Sequence, residues 1–330
     1  MENVSNKVKF NKELIKLKDI DATVNRICKK LQTDVHQVLR RRGAVVGISG
    51  GIDSSVTMAL AVKAFGAKNV LGVMLPEKDS SGDSKAFALK LAAKFGVKVV
   101  EENISSALEG FACYQRRDEA VKRVIPEYNP ITDKMKIGIP EEFINSKMPP
   151  VFYLTVIFSN GDERSERLPM NEYLQIVAAS NFKQRSRMSM LYYHAEAQHF
   201  AVIGTPNKHE VQQGFFVKYG DGGADVMPIG NLYKTQVYEL AKALGVPHEI
   251  IDRTPTTDTY TAEQTQEEFF YQMPFESMDL LWYAWENNYP THEVATELDI
   301  TENDVESIFK NFERKKKTTE YLRNPPIHDY

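Results

Sequence analysis

Ser49-Gly50-Gly51-Ile52-Asp53-Ser54 is the stretch whose residue types point most directly to chemistry, since two glycines let the backbone turn tightly and approach an anion. Val45, Val46 and Ile48 before it suit a buried parallel strand, and Val56 to Phe65 after it reads as an amphipathic helix. A helix starting there offers unpaired N–H groups and the positive end of its dipole to a phosphate. No Lys-Ser or Lys-Thr follows the glycines, and G-x-G-x-x-G spacing is absent, which excludes the P-loop and the dinucleotide fingerprint. An acidic residue inside a phosphate loop makes sense if Asp53 holds a Mg²⁺ that the phosphates also bind. The plain alternative is a Gly-Gly turn capped by Ser or Asp.

Other stretches carry groups suited to the same chemistry. Gly204-Thr205-Pro206-Asn207-Lys208-His209-Glu210 leaves the apolar run Phe200 to Gly204 and can enter a helix, placing Thr205 and Glu210 near the sheet edge of Asp53. Carboxylates from two strand-end loops suit a Mg²⁺ carrying triphosphate. Residues 213 to 235 are glycine-rich and carry Lys218, Asp221, Asp225 and Lys234, too charged for a core and long enough to be functional. With no P-loop lysine, Lys218 and Lys234 are natural donors to a polyphosphate or a substrate phosphate, a flexible surface loop being the alternative. Arg185 and Arg187 lie two apart on a helical run, so they point to different faces. The loop Pro76 to Ser84 is either an adenosine contact or a solvated turn.

The elements that must position these groups alternate. Strand Asn69 to Leu75, helix Lys85 to Phe95 and strand Val97 to Glu101 repeat the first unit. The alternation predicts an α/β fold, a doubly wound parallel sheet with flanking helices, in which ligands sit beyond the carboxyl ends of strands. Residues 1–42 have helical spacing at Leu14, Leu17, Val24, Ile27, Leu31 and Val35, which predicts a packing helix pair. Residues 115–175 break the rhythm. There Val151 to Phe158 and Arg164 to Leu168 predict a β-hairpin insertion across Ser159-Asn160-Gly161-Asp162, with Asn-Gly supplying positive φ angles. It follows Pro126, Pro130, Pro140, Pro149 and Pro150 and could be a lid, a dimer arm or a partner-binding flap. Residues 275–330 complete a single domain with C-terminal helices and a tail.

Composition narrows the class. At 330 residues with a formal net charge of −4, the chain can bury a full α/β core and shows no nucleic-acid footprint. No apolar run would span a bilayer and no signal-peptide core is present, so a cytoplasmic enzyme without membrane or nucleic-acid partners is expected. Cys28 and Cys113 are too few and too far apart for a disulfide framework, a zinc site or a redox pair.

The Ser-Gly-Gly-x-Asp-Ser loop resembles the pyrophosphate loop of the ATP pyrophosphatases. Adding Asn181 to Met188, Gly204 to Glu210, Lys218 to Asp225, Pro228-Ile229 and Leu232-Tyr233-Lys234-Thr235, the chain resembles the ammonia-dependent NAD synthetases from about Ala44 to Pro325-Pro326-Ile327. The resemblance implies the adenine nucleotide α-hydrolase-like fold, a homodimer, and amidation of deamido-NAD after its adenylation by ATP. It implies ATP contacts at Gly47, Ile48, Ser49, Gly50, Gly51, Ile52, Asp53, Ser54, Thr205, Lys234 and Thr256. It further implies Mg²⁺ at Asp53 and Glu210, deamido-NAD contacts at Arg185, Lys218 and Asp225, and catalysis carried by Asp53, Asp225 and Lys234. Pro255-Thr256-Thr257-Asp258 departs from the family pattern at Thr257, where Ala is usual. Tyr321-Leu322 stands where the family has a His-Lys pair that helps hold the dinucleotide, with Arg323 and Lys315 to Lys317 the nearest replacement cations.

The expected reaction is therefore ATP-dependent amide formation: adenylation of a carboxylate with release of pyrophosphate, then attack by ammonia with release of AMP. The synthetase-like region and its insertion account for the 330 residues without a glutaminase domain, so free ammonia, or ammonia from a separate glutaminase partner, is the expected nitrogen source. The alternatives are an ammonia ligase for a different carboxylate and a non-catalytic nucleotide-binding regulatory module.

Overall fold

Ala44–Gly47 (β1) lies inside a four-stranded parallel sheet ordered β3, β2, β1, β7 in the computed structural model, with Val70–Met74 as β2, Lys98–Glu101 as β3 and Ala201–Ile203 as β7. The structure describes residues 8–80, 82–139, 151–256, 260–262, 264–266, 270–271 and 273–328. Val45 pairs with Leu71 on one side and Val202 on the other, so the loops after β1, β2 and β7 leave one edge side by side.

Helices cover both faces, as the alternation predicts. Ile20–Gln32 (α1) and Ile52–Phe65 (α2) share one face with Lys234–Ala243 (α8), where Leu31, Val56, Leu60, Val237 and Leu240 bury Ala44 and Val46. Gly82–Phe95 (α3), Ser105–Gly110 (α4) and Cys113–Val124 (α5) precede the long Met170–Gln198 (α6). Met188, Leu191 and Ala195 of α6 cover Val45, Leu71 and Val202 on the other face. Lys208–Gln213 (α7) and His248–Ile251 (α9) flank α8. Phe275–Glu286 (α10), Thr291–Leu298 (α11), Glu302–Thr318 (α12) and Glu320–Arg323 (α13) build a second, aromatic core around Trp282, Tyr271 and Phe312.

Several expectations change in detail. Among the described residues before β1, a short 3-10 turn at Lys12–Ile15 precedes one α-helix, α1, which runs on into a π-helical turn at Thr33–Val38, in place of a helix pair. Helix α2 is buried nearly all round, Ser54, Ser55 and Thr57 included, because it is sandwiched between the sheet and α1 and α8; it is not amphipathic. The hairpin is present as Tyr153–Ile157 (β5) and Glu163–Arg167 (β6), and a third antiparallel strand, Lys134–Gly138 (β4), joins it. Only Gly161 in its turn takes a positive φ, +89°, and Gly161 N–H donates to Phe158 O at 2.9 Å. The turn is thus a glycine-bulge type that does not require Asn160 in the left-handed region. Pro140, Pro149, Pro150, Ser81, Thr257 and Asp258 lie outside the described residues.

Candidate active site

The glycine turn hands β1 directly to α2. Gly50 sits at φ +75°, and a Cβ there would fall 2.7 Å from Ser84 O and 2.9 Å from Phe87 Cβ, so both the conformation and the space demand glycine. Gly51 is the N-cap of α2 and no side chain caps that end, leaving its first N–H groups to a ligand. The hydroxyls of Ser54 and Ser55 turn back to Gly51 O at 3.0 and 2.7 Å, and Ser49 Oγ lies 3.3 Å from Ser54 Oγ. These contacts fix the loop as a shaped cradle.

Three charged groups meet at its side. Lys234, the first residue of α8, has no exposed surface, and its Nζ reaches Asp53 Oδ2 at 2.5 Å. Asn207 Nδ2 donates to Asp53 Oδ1 at 3.2 Å. Asn207 also caps α7: its Oδ1 accepts from the N–H groups of His209 and Glu210, and Glu210 Oε2 accepts from Asn207 N–H at 2.8 Å. Burial first, and the charge of Asp53 second, push the Glu210 carboxyl up to about 8. Burial works to lower the Lys234 pKa, but Asp53 and Glu210 outweigh it and hold Lys234 as a cation above its ordinary range.

One cavity brings Ser49, Gly51, Ile52, Asp53, Ser54, Thr205, Glu210 and Thr256 together. Gly47, Ile48 and Gly50 support it from within the β1 end, Gly47 against Leu191 and Ile48 buried. Ser84, from the loop read as an adenosine contact or a solvated turn, also lines the wall, and sequence reasoning missed Arg253 and Gln266 there. Asp221 also faces the cavity, with burial raising its carboxyl to about 6 while it accepts from Val217 N–H at 2.8 Å. The Asn-x-x-Glu spacing of Asn207 and Glu210 was the readable signal of a capping box; Arg253 gave none. The wall carrying Thr256 and Gln266 is held from behind by the inserted sheet. Met135 N–H of β4 donates to Thr261 Oγ1 at 2.7 Å, and Ala262 N–H donates to Met135 O at 3.1 Å.

Arg185, Lys218 and Asp225 do not reach that cavity wall. Arg185 Nε donates to Lys218 O at 3.2 Å, which makes these two neighbours, while Arg187 faces Leu75 O at 3.2 Å, as the two-residue spacing requires. Lys218 Nζ donates to Tyr321 O and Asn324 O of the tail, at 2.9 and 2.8 Å, beside a second depression lined by Tyr219, Gly222 and Pro325. Asp225 ties β7 to α6: its Oδ2 accepts from Val202 N–H at 2.8 Å, and the Tyr192 hydroxyl lies 3.0 Å from Oδ1. Arg323, expected as a replacement for the missing His-Lys pair, is instead engaged with backbone carbonyls. Its NH1 donates to Val211 O and Gln212 O at 3.2 Å and its NH2 to Lys316 O at 2.8 Å. Lys315 likewise turns inward, donating to Phe270 O at 3.1 Å, with burial lowering its pKa to about 8.

The Pro76 to Ser84 loop is neither a solvated turn nor a set of free polar groups. Glu77 and Asp79 point inward to Lys183 Nζ at 3.0 and 2.6 Å, Tyr114 OH donates to Glu77 at 2.6 Å, and Arg117 pairs with Asp79. Burial would raise the Asp79 pKa, but Arg117 and Lys183 prevail and lower it. This network fixes the loop against α5 and α6, leaving Ser84 at the cavity.

A parallel sheet of this order, covered on both faces and carrying a Ser-Gly-Gly-x-Asp-Ser turn after β1, has the adenine nucleotide α-hydrolase-like fold. The NAD synthase family model matches residues 23–127 and 155–326, and the chain belongs to that family. An NH(3)-dependent NAD(+) synthetase of Mesorhizobium japonicum is 46% identical over 309 residues, 94% of this chain and 96% of that protein. Among solved structures, the NMN synthetase of Francisella tularensis superposes with a TM-score of 0.65 at 21% identity, over 94% of this chain and 98% of the other. The NH3-dependent NAD synthetase of Campylobacter jejuni gives 0.61 at 22% identity, over 95% and 100%. Among the described residues no helix is long and apolar enough to cross a membrane.

Proposed function

We propose that the protein adenylates the nicotinate carboxylate of deamido-NAD with ATP and amidates it with ammonia, releasing pyrophosphate and AMP. The observation that carries this reading is the convergence of the uncapped α2 start, Asp53 and Glu210 on one cavity, with buried Lys234 paired to Asp53 behind its wall. The name and nearly full-length match of the Mesorhizobium relative support it.

The residues fit a Mg²⁺. Asp53 and Glu210 supply hard oxygen donors, and both line the one cavity beside the uncapped start of α2. Among the described residues no larger group of His, Cys, Asp and Glu is placed to bind a metal, which suits an ion completed by phosphate oxygens and water. Asp53 and Glu210 would hold it, and bound there it would neutralise charge on the triphosphate. The N–H groups of the glycine turn and the α2 start receive the β and γ phosphates, so pyrophosphate departs into prearranged donors. Lys234 turns from Asp53 to the α-phosphate, where charge grows as the carboxylate attacks. Thr205 and Thr256 line the adenosine side. Arg185 and Lys218 hold the carboxylate substrate, and positioning supplies most of the remaining acceleration. On this reading the working form is a homodimer that uses free ammonia or ammonia from a separate glutaminase; the family resemblance supports both.

A second reading, amidation of nicotinate mononucleotide, is favoured by the engagement of Arg323 and Lys315 with backbone carbonyls, which removes two cations expected to replace the pair that holds a dinucleotide. Incubation with ATP, Mg²⁺, ammonium and either acceptor separates them. NAD with equimolar AMP and pyrophosphate supports the first reading. ADP and phosphate would refute the adenylation chemistry, and turnover with the mononucleotide alone would move the assignment to the second.

A further inference from the structure

Asp53 has a counterpart on the far side of the helices that carry the charges of the site. At the cavity, Asp53 spans from Asn207, the cap of α7, to Lys234, the first residue of α8. Behind them, Asp279 of α10 makes the same span. Its Oδ1 lies 2.5 Å from Nε2 of His209, the second residue of α7, and its Oδ2 accepts from the N–H of Thr235, the second residue of α8, at 2.8 Å. The side chains of Asp279 and His209 have no exposed surface. Gln213 Nε2 lies 3.3 Å from His209 Nδ1, and Tyr233, Tyr271 and Trp282 surround the imidazole with ring centroids 5.6, 6.0 and 5.8 Å away.

The two aspartates differ in what they can do. On the proposed function, Asp53 must exchange Lys234 and Asn207 for a metal, so at that moment the front link between α7 and α8 opens. Asp279 is sealed from the cavity and keeps its partners. We infer that Asp279, acting through His209 and the Thr235 N–H, is a positioning residue that holds Glu210 and Lys234 in register while Asp53 changes partners. Glu210 follows His209 directly, and Lys234 precedes Thr235 directly, so a shift of either helix end moves a charge that must meet the triphosphate. Outer partners of this kind typically change metal affinity or activity by roughly 10–100-fold.

The test compares full-length wild type with Asp279→Asn and with His209→Phe, which keeps a ring in the aromatic box but removes the bond. Thermal melts report folding; rates of AMP formation are read against ATP and Mg²⁺ concentration. The expected result for Asp279→Asn is a kcat lowered by about 10–100-fold, a raised Mg²⁺ requirement and an ATP KM within about threefold of wild type, with His209→Phe moving the same way. Wild-type kcat per folded molecule in either variant overturns the inference, as does a loss in which kcat and ATP KM worsen in proportion. If Asp279→Asn does not fold, His209→Phe decides alone. The inference rests on the proposed reaction, and calorimetry of ATP binding separates the two failures. Should wild type bind nucleotide yet form no product, the reaction is refuted. The clamp then stands only if Asp279→Asn raises the Mg²⁺ concentration needed to tighten nucleotide binding while leaving binding without metal unchanged.

Discussion

Asp53→Asn should cost the protein both stability and turnover, and the two losses should separate when Lys234 is removed as well. Lys234 has no exposed surface and rests on Asp53 Oδ2 at 2.5 Å, while the Asp53 side chain keeps 16% of its surface exposed. Removing one partner of a buried ion pair costs about 3–5 kcal/mol. The partial exposure of Asp53 and the presence of Glu210 near Lys234 place this case at the lower end, about 3 kcal/mol. An unfolding entropy of roughly 2.1 cal/mol/K per residue over 330 residues makes each kelvin worth about 0.7 kcal/mol, so the expected fall in Tm is about 4 °C. On the proposed function Asp53 holds the metal, and its loss should lower AMP formation by about 100-fold or more. Asp53→Asn combined with Lys234→Met leaves no uncompensated buried cation, so it should regain most of the lost Tm and none of the activity. A double-mutant cycle by thermal melts gives the coupling directly. An unchanged Tm in Asp53→Asn, or a double variant less stable than the single one, would refute the assignment of Asp53 as the group that balances Lys234.

Two further outcomes follow from cations that the structure turns inward. Arg323→Ala should lower Tm by a few degrees, since charged donors to backbone carbonyls contribute about 1.5–3 kcal/mol, while the KM values for ATP and deamido-NAD move together; a KM rise confined to deamido-NAD would restore a substrate role to Arg323. Lys315→Met should raise Tm at pH 7, because burial holds the lysine at about 8 against an ordinary 10.5. Between those values the unfolded chain binds a proton that the folded chain has released, so wild-type stability rises with pH across that window, and the variant should lack the rise. Parallel pH profiles of Tm would count against it.

The local parts of the site were legible because their signals are local. A strand, two glycines and a helix start lie within a dozen residues, and Thr205 and Glu210 follow the end of β7 in the same way. The sheet could be read from the alternation of strands and helices alone. What escaped depends on distance in sequence. Lys234 was a free donor on the page of letters and is a buried partner of Asp53 in the fold, and nothing near Asp279 announced its reach to His209 and Thr235. Lys134-Met135-Lys136-Ile137-Gly138 alternates as a strand should, but its short length and the prolines on either side hid it. Arg323 carried the right charge for a phosphate contact; only packing shows that α7 and α12 had already claimed its donors.

The bonds of Met135 to Thr261 and Ala262 bear on how this chain has diverged. Met135 lies between residues 127 and 155, the interval that the family pattern passes over, yet it props the segment that brings Thr256 and Gln266 to the cavity beside Asp53. The three-stranded sheet and this wall of the cavity are therefore held together as one packed unit. Deleting 128–154 would break a seam inside the cavity wall while leaving Asp53, Glu210 and Lys234 in place.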